Sequence, residues 1–291
     1  MSALKNYLLV VNPISGDIDK TEIIEIANNF AENENVNLII FETTGKNDEE
    51  KIQKLQKEYH IERIIVVGGD GTIKMVAEAV QEHNVILGII PGGSANGLSV
   101  DLNLPDEIEE NMKIAFRNDY MEMDMISING KKSLHLSDIG INAELVKNYE
   151  NSNVRGKLGY ALQAINTLTG LKEPFIAKIE TKNRTVETEA RMVVIANSQK
   201  YGTGVTINPD GVMNDGKFEI VILKNLDLIV FGKILSGNMP IESGDVEIIS
   251  TDKATITTNV PVSFQVDGEY CDEVSKLEVE ILPNQMKLAI P

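Results

Sequence analysis

The stretch Ile64-Ile65-Val66-Val67-Gly68-Gly69-Asp70-Gly71-Thr72 constrains this chain more than any other. Four consecutive β-branched residues suit a strand buried on both faces, as in parallel sheets covered by helices. Beyond the turn, Ile73, Val76, Ala77 and Val80 recur at i, i+3, i+4 and i+7, one apolar helix stripe. Thr72 stands where an N-cap hydroxyl is expected. Three glycines remove side-chain bulk and let a backbone approach a ligand closely. The unpaired amides of a helix start favour an anion. A lone carboxylate, Asp70, inside such a turn calls for a cation that bridges it to phosphate. The unit reads as a phosphate and Mg²⁺ site, although most glycine-rich βα turns, taken alone, are only tight turns.

The same rhythm surrounds it. Tyr7–Val11 and Leu38–Phe41 read as strands, followed by the turns Asn12-Pro13-Ile14-Ser15-Gly16 and Thr43-Thr44-Gly45. Helices come next, one with Ile23, Ile26, Ala27 and Phe30 on a face, the other with Ile52, Leu55 and Tyr59. Val85–Ile90 is a further strand, closing on Pro91-Gly92-Gly93-Ser94-Ala95-Asn96-Gly97-Leu98. This alternation predicts a mostly parallel sheet, with the turns at Asn12, Thr43, Gly68 and Pro91 converging at the carboxyl ends of its strands.

After Arg117 the period changes. Met121, Met123 and Met125 alternate with Glu122 and Asp124, a strand pattern whose methionines read as core. Asn129-Gly130 signals a hairpin between Met125–Ile128 and Ser133–Leu136. Strands are expected at Phe175–Thr181, Met192–Ala196, Lys217–Leu223, Glu247–Ile249, Ala254–Thr257, Val262–Val266 and Lys276–Ile281. One helix carries Leu158, Ala161, Leu162, Ile165 and Leu168, and another is expected around Leu226–Leu235. The fold class is α/β plus all-β. An α/β nucleotide-binding domain over residues 1–125, rejoined by 283–291, precedes an antiparallel β-sandwich-like domain over 126–282.

Composition narrows the function. The 291 residues are 42% hydrophobic and 24% charged, as in soluble globular proteins. The net charge of −17 argues against general nucleic-acid binding and against bulk attraction to anionic membranes, so membrane contact would need a local patch. A single cysteine, Cys271, allows no intramolecular disulfide and fits a reducing cytoplasm. His60, His83 and His135 lack zinc spacing. Met1–Val11 shows no signal-peptide pattern, and no apolar run is long enough to span a bilayer.

Taken together, five landmarks resemble the diacylglycerol kinase catalytic-domain family, which includes sphingosine and ceramide kinases. Asn12-Pro13-Ile14-Ser15-Gly16 looks like its Asn-Pro-x-Ser-Gly opening, and Gly68-Gly69-Asp70-Gly71-Thr72 matches its nucleotide motif. Pro91-Gly92-Gly93-Ser94-Ala95-Asn96 looks like its Pro-x-Gly-Thr/Ser-x-Asn loop. Asn208-Pro209 with Asn214-Asp215-Gly216, and then Asp267-Gly268-Glu269, resemble its later acidic segments.

The resemblance implies ATP and Mg²⁺ held by Gly68, Gly69, Asp70, Gly71, Thr72, Ser94 and Asn96, with Asn12 and Thr43 at the nucleotide pocket. It implies Glu269 as the general base toward a lipid hydroxyl, and Asp215 with the carbonyls of Val212 and Lys217 at a second Mg²⁺. Asp124, and Asp267 beside the base, belong to the crevice. It also implies a lipid substrate met transiently at a membrane surface.

Plainer readings stand beside these. Asp267-Gly268 and Asn214-Asp215-Gly216 are turn signals in their own right. Lys131, Lys132, Arg155 and Lys157 read as solvated surface rather than headgroup ligands. Gly97 follows Asn96 where many family members carry an aspartate, which bears on acceptor choice. An NAD kinase, which shares a Gly-Gly-Asp-Gly turn, and a nucleotide- or lipid-binding protein without turnover are the competing functions. The strand-rich second half offers an edge for homodimer pairing.

Overall fold

A computed structural model describes residues 4–16, 19–80, 84–93, 96–150, 173–200, 206–225 and 244–291. Ser94, Arg155, Lys157 and the expected helices at 158–168 and 226–235 lie outside the described residues. The chain forms two compact units, Met1–Met123 with Asn284–Pro291, and Asp124–Pro283.

The first unit is built on the parallel strands β1 (Lys5–Val11), β2 (Val36–Glu42), β3 (Arg63–Gly68) and β4 (Ile86–Pro91). Their order is β2-β1-β3-β4. Residues 287–288 of the last strand add in parallel beyond β4. The helices are α1 (Lys20–Glu34), α2 (Asp48–Tyr59), α3 (Asp70–Val80), the short α4 (Gly97–Asp101) and α5 (Ile108–Arg117). Sequence periodicity left α4 and α5 unassigned. On one sheet face Leu9, Val11, Ile65, Val67 and Ile90 pack with Ile23 and Ala27 of α1 and with Met112, Ala115 and Phe116 of α5. Leu8, Val10, Ile64 and Val66, of opposite pleat, are equally buried. Burial on both faces explains the unbroken apolar runs.

Contact between α5 and β4 depends on a missing side chain. A Cβ on Gly88 would lie 2.4 Å from Ala115 Cβ and 2.6 Å from its Cα. Gly88→Ala is expected to displace α5 and destabilise the protein by ~1–3 kcal/mol. An unchanged urea midpoint in the variant would contradict this packing.

The second unit is antiparallel. β5 (Tyr120–Ile128) enters it from the first and pairs with β6 (Lys131–Ser133) across the Asn129-Gly130 turn, where both residues have positive φ. The partner strand of this hairpin is shorter than expected. After Ser133 the chain breaks off, and Leu136–Gly140 forms a separate strand, β7, followed by α6 (Ile141–Glu150). β8 (Phe175–Thr181), β9 (Thr185–Ala190), β10 (Met192–Ala196), β11 (Phe218–Leu223) and β12 (Val246–Thr251) follow.

The expected strands at 254–257 and 262–266 are one, β13 (Lys253–Val266), with a register shift between Thr257 and Val262. Lys276–Ile281 is the middle of β14 (Glu269–Ala289). One end of β13 pairs with β8 and the other with β7, so the irregularity lets one strand serve two sheet regions. Phe218, Ile220 and Ile222 of β11 share a core with Ile256 and Phe264 of β13 and with Leu277 and Val279 of β14.

Candidate active site

In the first unit, β1 connects through α1 to one neighbour and β3 through α3 to the other. The strand order therefore reverses between β1 and β3, the switch point where ligands of such sheets collect. The loops at that edge are tied together. The Asn12 amide donates to the Val67 carbonyl at 2.9 Å, the Thr43 amide to Val11 at 2.8 Å, and the Gly92 amide to Gly68 at 2.9 Å. The Asn12 side chain donates to the Thr72 hydroxyl at 3.0 Å and accepts from the Ile14 amide at 3.2 Å. Asn96 closes its own loop, exchanging bonds with the amide and carbonyl of Gly93 at 2.9 and 3.1 Å.

Two expectations about the glycine turn are corrected. Thr72 does not cap α3, which starts at Asp70; the Thr72 and Ile73 amides both reach the Gly69 carbonyl, at 2.9 and 3.1 Å. A Cβ on Gly68 would lie 2.6 Å from Thr72 Oγ1, so this glycine makes room for the first helical turn as well as for any ligand. Asp70 is also not a carboxylate waiting only for a cation. Its two oxygens accept from the amides of Gly97 (2.8 Å) and Leu98 (3.0 Å), fixing the start of α4.

Lys20 escaped the sequence reading. It is 7% exposed and donates to the carbonyls of Ser15 (2.9 Å) and Gly92 (3.0 Å), bridging the loops after β1 and β4. Burial pushes its ammonium below the ordinary lysine value. No carboxylate among the described residues pairs with it. It also occupies the first turn of α1, where the helix dipole disfavours positive charge. It follows Gly16 of the Asn-Pro-x-Ser-Gly turn by four residues, and no local pattern marks it.

The remaining candidates lie in the second unit. Asp124 is 1% exposed; its amide donates to the Met213 carbonyl at 2.8 Å, and its Oδ2 accepts from the Gly216 amide at 2.8 Å. It thus shapes the turn that carries Val212, Asp215 and Lys217. Asp215 is exposed and accepts from the Lys217 amide at 3.0 Å. Asn208, fully buried, braces the same loop through Ser198 O and Glu219 Oε2 at 3.2 and 2.9 Å.

These donors are oxygens alone, a type that suits Mg²⁺. No cluster of three or more His, Cys, Asp or Glu side chains among the described residues forms a closed metal cage. Asp267 is committed to structure, accepting from the Ser133 hydroxyl and the Leu134 and His135 amides at 2.9–3.1 Å. Glu269 is exposed at the first position of β14. No described residue engages its carboxylate.

Residues 6–128 match the family model of the diacylglycerol kinase catalytic domain, and residues 137–290 that of the YegS C-terminal NAD kinase beta sandwich-like domain. A probable lipid kinase YegS of Salmonella arizonae is 24% identical, covering 100% of this chain and 98% of its own length. An uncharacterized protein of Synechocystis sp. is 28% identical, over 97% of this chain and 70% of its own. The crystal structure of a diacylglycerol kinase from Bacillus anthracis shares the fold with a TM-score of 0.77 at 20% identity, covering 100% of this chain and 98% of that one. No helix among the described residues is long and apolar enough to cross a membrane. The chain belongs to the diacylglycerol kinase catalytic-domain family, with a YegS-type β-sandwich-like second domain.

Proposed function

We propose that this protein is an ATP-dependent lipid kinase that transfers the γ-phosphoryl group to a lipid hydroxyl, a diacylglycerol or a sphingoid-like alcohol. The observation that carries the reading is Lys20, a buried cation with no paired carboxylate among the described residues, at the carboxyl edge of the parallel sheet. A charge so placed is costly until an anion arrives, and a nucleotide phosphate is the anion this edge is built to meet. Phosphoryl transfer asks a protein chiefly to position groups and to offset charge on the phosphoryl oxygens.

In this reading the loops at Asn12, Thr43, Gly68–Thr72 and Ser94–Asn96 hold the nucleotide, and Asp70 keeps two of them in register through α4. Glu269 accepts the proton of the acceptor hydroxyl. The alcohol oxygen bonds to the γ-phosphorus, and the bond to the ADP oxygen breaks. Bound Mg²⁺ would neutralise phosphate charge, with the Asp70 carboxylate as the residue that would hold it. A second Mg²⁺ would sit at Asp215 and the carbonyls of Val212 and Lys217. The acceptor is met at a membrane surface by a cytoplasmic protein.

Incubation with γ-labelled ATP and a total lipid extract, followed by mass spectrometry, is expected to reveal label in an organic-soluble phospholipid. Chelation of divalent cations is expected to abolish it. Label in NADP instead would establish the NAD kinase alternative, and nucleotide binding without transfer to any lipid would leave a binding protein.

A further inference from the structure

The hairpin that presents Glu269 is tethered twice. β13 and β14 meet through Val266-Asp267-Gly268-Glu269, whose central residues have φ of 49° and 88°, the conformation Asp-Gly favours. On one side the Asp267 carboxylate accepts from the Ser133 hydroxyl, which the Ser137 hydroxyl reaches at 2.9 Å. On the other, the Gly268 amide donates to Gln265 Oε1 at 2.7 Å. Gln265 Nε2 donates to Asp138 Oδ2 at 2.5 Å, and the same oxygen accepts from Asn142 Nδ2 at 2.7 Å. Ser137 and Asp138 are successive residues of β7, so their side chains leave opposite faces of the sheet. The turn is thereby gripped from both.

The second tether is expensive. Asp138 is 0% exposed and Gln265, its direct partner across the β7–β13 ladder, 1%. Burying a carboxylate costs free energy that its hydrogen bonds only offset. An Asp-Gly turn between strands of 14 and 21 residues closes without such help. What the tether adds is direction. Asp138 Oδ2 accepts from the Gln265 NH₂ group. The amide oxygen is left facing the Gly268 N–H, which only donates.

We propose that Asp138 and Gln265 are positioning residues that fix the backbone immediately before Glu269, and through it the approach of the catalytic carboxylate. This rests on Glu269 acting as the base. Neither residue belongs to the Asp267-Gly268-Glu269 signature, and neither touches the reacting atoms in this scheme.

The test compares wild type with Gln265→Met, Asp138→Leu, Asp138→Asn and Glu269→Gln. Steady-state kinetics use dioleoylglycerol micelles with γ-labelled ATP, and hydrogen exchange follows peptides covering 266–270. Gln265→Met and Asp138→Leu are expected to lower kcat by ~10–10²-fold, since a misplaced catalytic group loses about that much. KM for ATP should stay within about twofold in both, because neither side chain is among those proposed to hold the nucleotide. The Gly268 amide should exchange faster in both. Asp138→Asn keeps an acceptor oxygen and should recover most of the rate and the protection.

Unchanged exchange in Gln265→Met overturns the clamp whatever the activity. Faster exchange at a wild-type kcat overturns the positioning role. A Glu269→Gln protein as active as wild type, or a wild type inert toward every lipid, overturns the base reading itself, by results that do not involve Gln265.

Discussion

Glu269→Gln is expected to lower the turnover of lipid phosphorylation by ~10²–10⁴-fold, the range a positioned general base supplies. The substitution is close to isosteric, and its amide cannot accept a proton. Because Glu269 is exposed and no described residue holds its carboxylate, folding stability should change by no more than ~0.5 kcal/mol. The contrast with its neighbour is informative. Asp267, two positions earlier, satisfies two backbone amides and a hydroxyl, so Asp267→Ala should cost ~1–3 kcal/mol of stability. Initial rates beside thermal denaturation separate the two behaviours. A Glu269→Gln enzyme that retained half of the wild-type kcat would remove Glu269 from the mechanism.

How much of this could be read in the residues follows from how local the signals are. Buried parallel strands advertise themselves, because both faces must be apolar; hence Ile64–Val67 and Leu8–Val11 stand out. β9 does not, since its Thr-Val-Glu-Thr-Glu-Ala places charges on an exposed face and resembles a loop. α5 hides its stripe of Met112, Ala115 and Phe116 within ten residues, too short for periodicity to separate from a strand. β13 appeared as two strands because the polar run around Thr258 and Asn259 coincides with its register shift.

The site divides in the same way. Asp70, Asn12 and Glu269 sit inside contiguous motifs. Lys20 meets its partner Gly92 across 72 positions, and Gln265 meets Asp138 across 127. Contacts of that range exist only once the strands have been ordered, so nothing in a linear pattern singles those residues out.

Lys20→Met is expected to weaken ATP binding by ~10–10²-fold, the loss of one charge-assisted hydrogen bond of ~1.5–3 kcal/mol. The nucleotide-free protein should lose little, because the variant removes a desolvated charge together with its two bonds to carbonyls. Calorimetric titration reads the first effect, and thermal shifts with and without ATP read both. The pH dependence has a definite sign. Burial lowers the folded-state value of Lys20 below its ordinary 10.5. Its charge therefore costs stability at neutral pH, and the cost is relieved as pH rises through the lowered value toward 10.5. Over that alkaline window nucleotide-free wild type should gain stability relative to Lys20→Met. ATP affinity of wild type should fall over the same window, as the cation that meets the phosphate is discharged. Equal ATP affinity in the two proteins at neutral pH would show that Lys20 serves only to join the loops after β1 and β4, and the phosphate would then need another counter-charge.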